Sequence, residues 1–219
     1  MSSEGLTLYT YFRSSAAFRV RIALNLKGLK PDYKFVHLLK EGGQQFFEDY
    51  RRLNPQSLVP TLTHLGHAIS QSLAIIEHLD EVYPEPPFLP DDKFDRARVR
   101  AIAYAIACDI HPLNNLRVRK YLHDVLSRSN EEILAWQIHW MALGFEALEG
   151  MLMDAKETGR FCHGDSPTLA DICLIPQMAN ARGAEMDLRS YPTLRRIEKA
   201  AYELPAFMDA LPKNQPDAE

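Results

Sequence analysis

The sequence predicts two domains: a small α/β domain of βαβ–ββα order, then an all-helical one. Three observations predict this. Strand-like and helix-like runs alternate over residues 6–83, a proline-rich stretch follows at 84–92, and from 93 onward the apolar residues recur at helical spacing. The expected domains are therefore 1–83 and 93–219, with 84–92 as linker.

Each element has its own signal. Leu6 to Tyr11 (LTLYTY) is aromatic and β-branched enough for a short buried strand. Residues 17–27 (AFRVRIALNLK) read as a helix, and Gly28 sits where a C′ glycine ends one. Tyr33 to Leu38 (YKFVHL) reads as a second strand and 44–52 as a short helix. Strand, crossover helix and strand imply a right-handed parallel unit. After Val59-Pro60, two short apolar runs, Thr61–Leu65 and Ala68–Ile69, flank Gly66 and signal a hairpin. Ser70, Gln71 and Ser72 introduce a helix whose Leu73, Ile76 and Leu79 share a face, ending at Tyr83-Pro84.

Residues 84–92 (PEPPFLPDD) hold four of the 14 prolines, which reads as an extended linker. Beyond it, 93–126 is expected as one long helix, broken or bent near Pro112, and 131–155 as another with Trp136 and Trp140 in its core. Thr168-Leu-Ala-Asp171 is a helix-start pattern in which Thr168 caps and Asp171 reaches back. Short helices are expected near 192–203 and 205–211, with a frayed tail from Pro212.

Composition narrows the function. With 219 residues, 46% hydrophobic and 25% charged, the chain has ordinary globular composition, which excludes disordered, collagenous and disulfide-knot classes. The formal charge of −4, with Lys and Arg scattered, leaves no nucleic-acid footprint. No apolar stretch approaches the ~18 residues of a membrane span. Three cysteines, Cys108, Cys162 and Cys173, with no Cys-x-x-Cys, read as reduced thiols of a cytoplasmic protein. No metal-ligand spacing is seen.

The candidate site residues each have a bland reading beside the functional one. Arg13, Ser14 and Ser15 lie where the first strand hands over to the first helix, a natural anion site where a Ser hydroxyl can donate to a thiolate, carboxylate or phosphate. Ser is equally a common N-cap that needs no ligand. Most bonds such as Val59-Pro60 are trans; a cis one would turn the Val59 backbone toward an extended peptide. Gln71-Ser72 offers helix-start donors to a carboxylate, or only a cap. His111, Asn115 and Arg117 cluster after Pro112, where the plain alternative is helix surface.

Together and in this order these segments resemble the glutathione transferase superfamily, and within it the zeta class of maleylacetoacetate isomerases and the related bacterial maleylpyruvate isomerases. The resemblance is carried by YFRSSAAFRVRIALNLKG at 11–28, LNPQSLVPTL at 53–62, QSLAIIEHLDE at 71–81, DIHPLNNLRV at 109–118 and GDSPTLADICLIPQMANA at 164–181. It implies a thioredoxin-like first domain in glutathione transferase architecture, with Pro60 cis and Val59 pairing with the cysteinyl backbone of glutathione. It further implies Gln71 and Ser72 on the γ-glutamyl carboxylate, Gln45 along the tripeptide, Ser14 as the catalytic serine with Ser15 beside it, and His111, Asn115 and Arg117 completing the site. Thr168 and Asp171 match a structural capping motif. A homodimer is implied as well. Two positions depart from the family pattern. Ala16 stands where the zeta pattern has cysteine, and Arg182 falls one residue before the related isomerases' arginine, a turn of about 100° on a helix.

The reaction this implies is cis–trans isomerisation of maleylacetoacetate to fumarylacetoacetate, in the breakdown of tyrosine and phenylalanine. Reversible addition of a glutathione thiolate turns the double bond single and lets it rotate. A dicarboxylate substrate calls for guanidinium groups, Arg13 first and Arg117 and Arg182 behind it. The alternatives are the same chemistry on maleylpyruvate, a transferase or dehalogenase acting on α-halo acids, and a binding module that has lost activity. Membrane and nucleic-acid partners are not expected.

Overall fold

The computed structural model describes residues 5–219, which divide into two compact units. One runs to Pro87 and resumes at Leu204–Glu219; the other is Phe88–Glu203.

The first unit is built on a four-stranded sheet in the order β2-β1-β3-β4. Strands β1 (Leu6–Thr10) and β2 (Asp32–Phe35) are parallel, joined through helix α1 (Ser15–Leu26). The β2 strand is shorter than the run Tyr33 to Leu38 suggests, because the chain leaves the sheet after Val36, whose N–H still donates to the Thr10 carbonyl at 2.8 Å. Residues 44–52 become a 3₁₀ turn at Gln44–Phe46 and the helix α2 (Glu48–Leu53). The hairpin of β3 (Thr61–His64) and β4 (His67–Ser70) pairs antiparallel, with Leu65 and Gly66 both at positive φ in the turn, and β3 pairs antiparallel with β1. Helix α3 (Ser72–Val82) packs on α1. Gly28 ends α1 at φ +67°, as a C′ residue in the left-handed region.

Side chains alternate as a half-buried sheet requires. Leu6 and Leu8 of β1 and Leu62 of β3 are buried, as are Phe18, Val20, Ile22 and Leu24 of α1 and Ile75, Ile76 and Leu79 of α3. Helix α1 is enclosed on nearly every side, so Arg19 and Arg21 are both 1% exposed.

The tail from Pro212 is not frayed, and it does not belong with the helical unit. Helix α9 (Pro205–Met208) packs on α1, Asn25 Nδ2 donates to the Ala206 carbonyl at 2.9 Å, and a 3₁₀ turn at Pro212–Asn214 follows. The carboxylate of Asp217 accepts from the N–H of Phe12 at 2.9 Å. Specific acceptors on the tail, invisible to local periodicity, hold it down.

The second unit is helical. The expected long helix over 93–126 is broken into α4 (Lys93–Tyr104), a π-helical turn at Ala105–Ile110, a 3₁₀ turn at His111–Asn114 and α5 (Leu116–Asp124). Pro112 lacks the N–H that an α-helix would use, and Asn115 restarts the helix as an N-cap whose side chain accepts from Arg117 N–H at 3.1 Å. Helix α6 (Asn130–Leu152) opens with a capping box of Ser129 and Glu132. Trp136 and Trp140 lie half-buried, edge to face at 5.5 Å, rather than in the core, and Trp136 Nε1 donates to the Leu113 carbonyl. Gly144 leaves room for Ile110, which a Cβ would overlap. Helices α7 (Leu169–Gly183) and α8 (Pro192–Ala201) complete the unit. At the start of α7 the buried Asp171 carboxylate accepts from Thr168 N–H, Thr168 hydroxyl and Cys162 N–H at 2.8–2.9 Å.

Candidate active site

The chain turns from β1 into α1 through Tyr11, Phe12 and Arg13, and Ser14 is the N-cap of α1. Its backbone is extended, at φ −71° and ψ 113°, and its Oγ accepts from Ala17 N–H at 3.1 Å. An oxygen that accepts from the helix still has its own proton to give. Ser14 is half-buried, Ser15 is 8% exposed as the first residue of the helix, and Arg13 is exposed with its guanidinium over the Phe12 ring at 5.1 Å. The plain reading of Ser14 as an N-cap is therefore seen, and the cap leaves the hydroxyl proton free to be given.

The Val59-Pro60 bond is cis, and Val59 is 8% exposed. Two residues that the sequence did not single out bracket it. Tyr50 hydroxyl donates to the Leu58 carbonyl at 2.6 Å and lies 2.9 Å from Thr61 Oγ1; Asn54 Nδ2 donates to the same two groups at 2.8 and 3.0 Å. Burial pushes the Tyr50 phenol up, against hydrogen bonds from Thr61 and Asn54 that lower it, so it stays a neutral donor. The only sequence signal was their closeness to Val59-Pro60.

Gln71 has φ +72° and precedes α3, and its side-chain amide donates to Gln56 Oε1 at 2.8 Å. Ser72, 7% exposed, is the first residue of α3, and its Oγ accepts from Arg19 Nη1 at 3.3 Å. Like Ser14, it accepts from the protein through its oxygen and has a proton of its own to give. Gln45 is 5% exposed; its Nε2 reaches the Leu38 carbonyl at 3.4 Å, while its Oε1 is buried with no partner among the described residues. In the same unit Tyr11, Phe12, Val36, Tyr50 and Val59 form one apolar cluster. The first unit therefore carries an apolar cluster, two hydroxyls at helix starts, a buried acceptor in need of a donor, and an exposed guanidinium. That donor and acceptor set fits an extended peptide-like anion with a thiol.

On the helical unit, His111 Nε2 and Asn115 Nδ2 are 3.3 Å apart, and Arg117 is exposed on the first turn of α5. His111 and Asn115 meet across a helix break, not along one helix face as their spacing suggests. Arg182 is engaged elsewhere. Its Nε donates to Glu198 Oε1 at 2.8 Å and its Nη2 pairs closely with Glu198 Oε2, in a groove of about 690 Å³ lined by Arg195 and Lys199 of α8 and by Tyr202 just after it. Both carboxylate oxygens of Glu198 are used by this one guanidinium, so Arg182 ties α7 to α8 while its side chain stays half exposed.

Comparison with known proteins gives the same outline. Residues 8–87 match the family described as glutathione S-transferase, N-terminal domain. A probable maleylacetoacetate isomerase of Vibrio cholerae is 47% identical over 213 residues, covering 97% of this chain and 98% of that one. A holo structure of a maleyl pyruvate isomerase, described as a bacterial zeta-class glutathione S-transferase, superposes with a TM-score of 0.94 at 45% identity, over 97% of this chain and 100% of that one. A maleylacetoacetate isomerase from Methylobacterium extorquens AM1, crystallised with malonate and glutathione, gives 0.93 at 39% identity, over 97% and 99% of the two chains.

Proposed function

Because this chain belongs to the glutathione transferase family, in its zeta class, we propose that it is a glutathione-dependent cis–trans isomerase that converts maleylacetoacetate to fumarylacetoacetate. The observation that supports this reading is the Ser14 hydroxyl, which caps α1 as an acceptor and so has its proton left to give at the helix start. Bound glutathione supplies a nucleophilic sulfur whose reversible addition makes the cis double bond single long enough to rotate.

The chain's own residues do the rest. Ser14 donates to the sulfur and, with the positive end of α1, favours its ionised form; a free thiol of pKa about 8.5 is only a few per cent ionised at neutral pH. One unit of depression corresponds to about 1.4 kcal/mol, within reach of a charge-assisted hydrogen bond. Ser15 supports that corner. The Val59 backbone, ahead of the cis Pro60, pairs with the middle of the tripeptide, and Gln45 Oε1 takes one of its N–H groups. Gln71 and Ser72 hold the γ-glutamyl carboxylate at the start of α3, with Ser72 set by the buried Arg19. Arg13 binds a carboxylate of the substrate, and Arg117, exposed on α5, is the second cation assigned to it. His111 and Asn115 are assigned to the same ligand set. Ala16 introduces no second thiol beside Ser14, so isomerisation depends on the sulfur of the tripeptide alone.

Maleylpyruvate is the second reading, favoured by the 0.94 TM-score to an isomerase of that name. The reading extends to a homodimer, for which the exposed rings of Phe46 and Phe47 offer apolar surface, and to the cytoplasm, where three free cysteines stay reduced. Among the described residues no helix is long and apolar enough to cross a membrane. The test is incubation with catalytic glutathione and either maleylacetone or maleylpyruvate, following loss of the cis isomer. Turnover with glutathione unconsumed supports isomerase. Stoichiometric thioether formation moves the assignment to a transferase, and binding without turnover moves it to a module.

A further inference from the structure

The loop that carries Arg13 and Ser14 is held from behind by groups far away in sequence. Arg21, 1% exposed, points its guanidinium at the backbone just before that loop. Its Nη1 donates to Thr10 Oγ1 at 3.2 Å and to the Tyr11 carbonyl at 3.4 Å, and its Nη2 to the Phe12 carbonyl at 3.1 Å. The same guanidinium reaches into the tail, where Nε and Nη2 donate to the Ala210 carbonyl at 3.2 and 3.1 Å. The tail then crosses the loop. Asp217 Oδ2 accepts from Phe12 N–H at 2.9 Å, while Oδ1 is buried with no partner among the described residues. Ala218 packs on the cluster of Tyr11, Phe12, Val36, Tyr50 and Val59, which includes the residue before the cis bond. Glu219 pairs with Lys40 and lies 3.5 Å from His37 Nε2. The carbonyl of Phe12 is therefore held by Arg21 and its N–H by Asp217, two residues before Ser14.

We propose that Asp217 is a positioning residue for catalysis: its carboxylate, with Arg21 behind it, fixes the Phe12 peptide and so sets where the Ser14 hydroxyl and the Arg13 guanidinium stand. A local hydrogen bond within residues 11–14 can close the turn, as Ser14 N–H to the Tyr11 carbonyl does at 3.0 Å. It cannot stop the turn from swinging as a body. An anchor on the far side of Phe12 does that, and small misplacements at a reacting centre cost large factors in rate.

The catalytic consequence rests on the isomerase reading; the anchoring of Phe12 does not. Three variants test it, each read by backbone amide exchange at Phe12–Ser14, calorimetric glutathione affinity, and the kcat and KM of the isomerase assay. Asp217→Ala frees the Phe12 N–H, so its exchange rises about tenfold, the equivalent of one ordinary hydrogen bond. Glutathione affinity falls and kcat drops about tenfold or more, with the substrate KM moving less. Asp217→Asn restores all three readouts, because its amide oxygen accepts the same N–H and its Nδ2 takes the place of the oxygen without a partner. Asp217→Glu keeps charge and bulk but moves the acceptor by one methylene, so it shows the same losses in smaller measure even if the alanine variant does not fold. Unchanged Phe12 exchange in both the Ala and Glu variants overturns the anchor. Raised exchange with unchanged kcat and glutathione affinity overturns the catalytic role. A wild-type chain without isomerase activity removes the function reading instead, and amide exchange with glutathione affinity still decides the anchor.

Discussion

Replacing Ser14 separates two jobs that one hydroxyl performs. Its oxygen caps α1 through Ala17 N–H at 3.1 Å, and its proton is assigned to the sulfur of glutathione. Ser14→Ala removes both. Loss of an N-cap costs about 1 kcal/mol of stability. Loss of a hydrogen bond to an ionised partner costs about 1.5–3 kcal/mol, or roughly one to two units in the pKa of the bound thiol. With that pKa moved from about 7 to about 8.5, the ionised fraction at pH 7 falls from about half to about 3%, a loss of about 16-fold. At pH 9 the loss shrinks below about twofold, because both forms are then largely ionised. Ser14→Gly is the control: glycine costs a helix start only a few tenths of a kcal/mol relative to serine, so stability stays near wild type while the hydroxyl is gone. The assay is ultraviolet titration of the thiolate in the glutathione complex, beside the pH–rate profile and a denaturant midpoint. The expected result is one shifted titration curve shared by the Ala and Gly variants, with a lowered midpoint in Ala alone. A curve that superposes on wild type while the Ala midpoint falls makes Ser14 a cap and nothing more. A shift produced by Ser15→Ala instead passes the role to its neighbour.

Three further outcomes are expected. Arg13→Leu removes the exposed guanidinium from the loop, and the dicarboxylate KM rises about tenfold while glutathione affinity stays within about twofold; equal losses in both refute Arg13 as the substrate anchor. Asp171→Ala strands the buried N–H groups of Thr168 and Cys162 and lowers unfolding stability by about 3–5 kcal/mol in a denaturant titration; a loss under about 1 kcal/mol refutes the capping account. Tyr202, half-buried beside Glu198, has its phenol pushed up to about 12 by burial, with Glu198 adding to the shift and Arg182 opposing it. The unfolded chain releases that proton near 10.0, the folded one near 12, so the folded state holds more protons in between and stability falls as pH rises through that window. Solvent access reduces the two-unit ceiling of about 2.7 kcal/mol to roughly 1 kcal/mol. Tyr202→Phe should narrow the gap between midpoints at pH 9 and pH 11 by that amount, and an unchanged gap refutes the assignment.

What could be read from the sequence followed the reach of each physical signal. The order of β1, α1, β2, the hairpin and α3 was legible because alternation and helical spacing are local properties of the chain. Gly28 and the Thr168–Asp171 box were legible for the same reason: each acts within about one helical turn. Where function asked for a distant partner, the signal ran out. Pro112 announced a break, but not the π-helical turn that precedes it from Ala105. The spacing of Arg182 said nothing about Glu198, which lies sixteen residues on and accepts from its Nε and Nη2. Tyr50 and Asn54 look like ordinary residues of a short helix and its end. Their importance is set by the Leu58 carbonyl and Thr61 hydroxyl they hold, and a carbonyl belongs to every residue alike.

Arg21 shows most clearly why such a feature escapes a pattern reading. In the run Arg-Val-Arg-Ile, two charged residues at i and i+2 point to opposite sides of a helix, so one face at least looks solvated. Both arginines are instead buried, and burial lowers Arg21 to about 10, against the opposing pull of Asp217. A well-packed Met of similar length would avoid desolvating a charge, and for stability alone such replacements are often neutral or better. Met cannot, however, satisfy the carbonyls of Phe12 and Ala210, which have turned away from the sheet and the helices to make the loop and its tail. An irregular stretch of buried backbone needs several donors fanned out from one point, and guanidinium is the side chain that provides them. The buried charge is there to hold the loop in place, which is why its partners are backbone atoms that no sequence motif records.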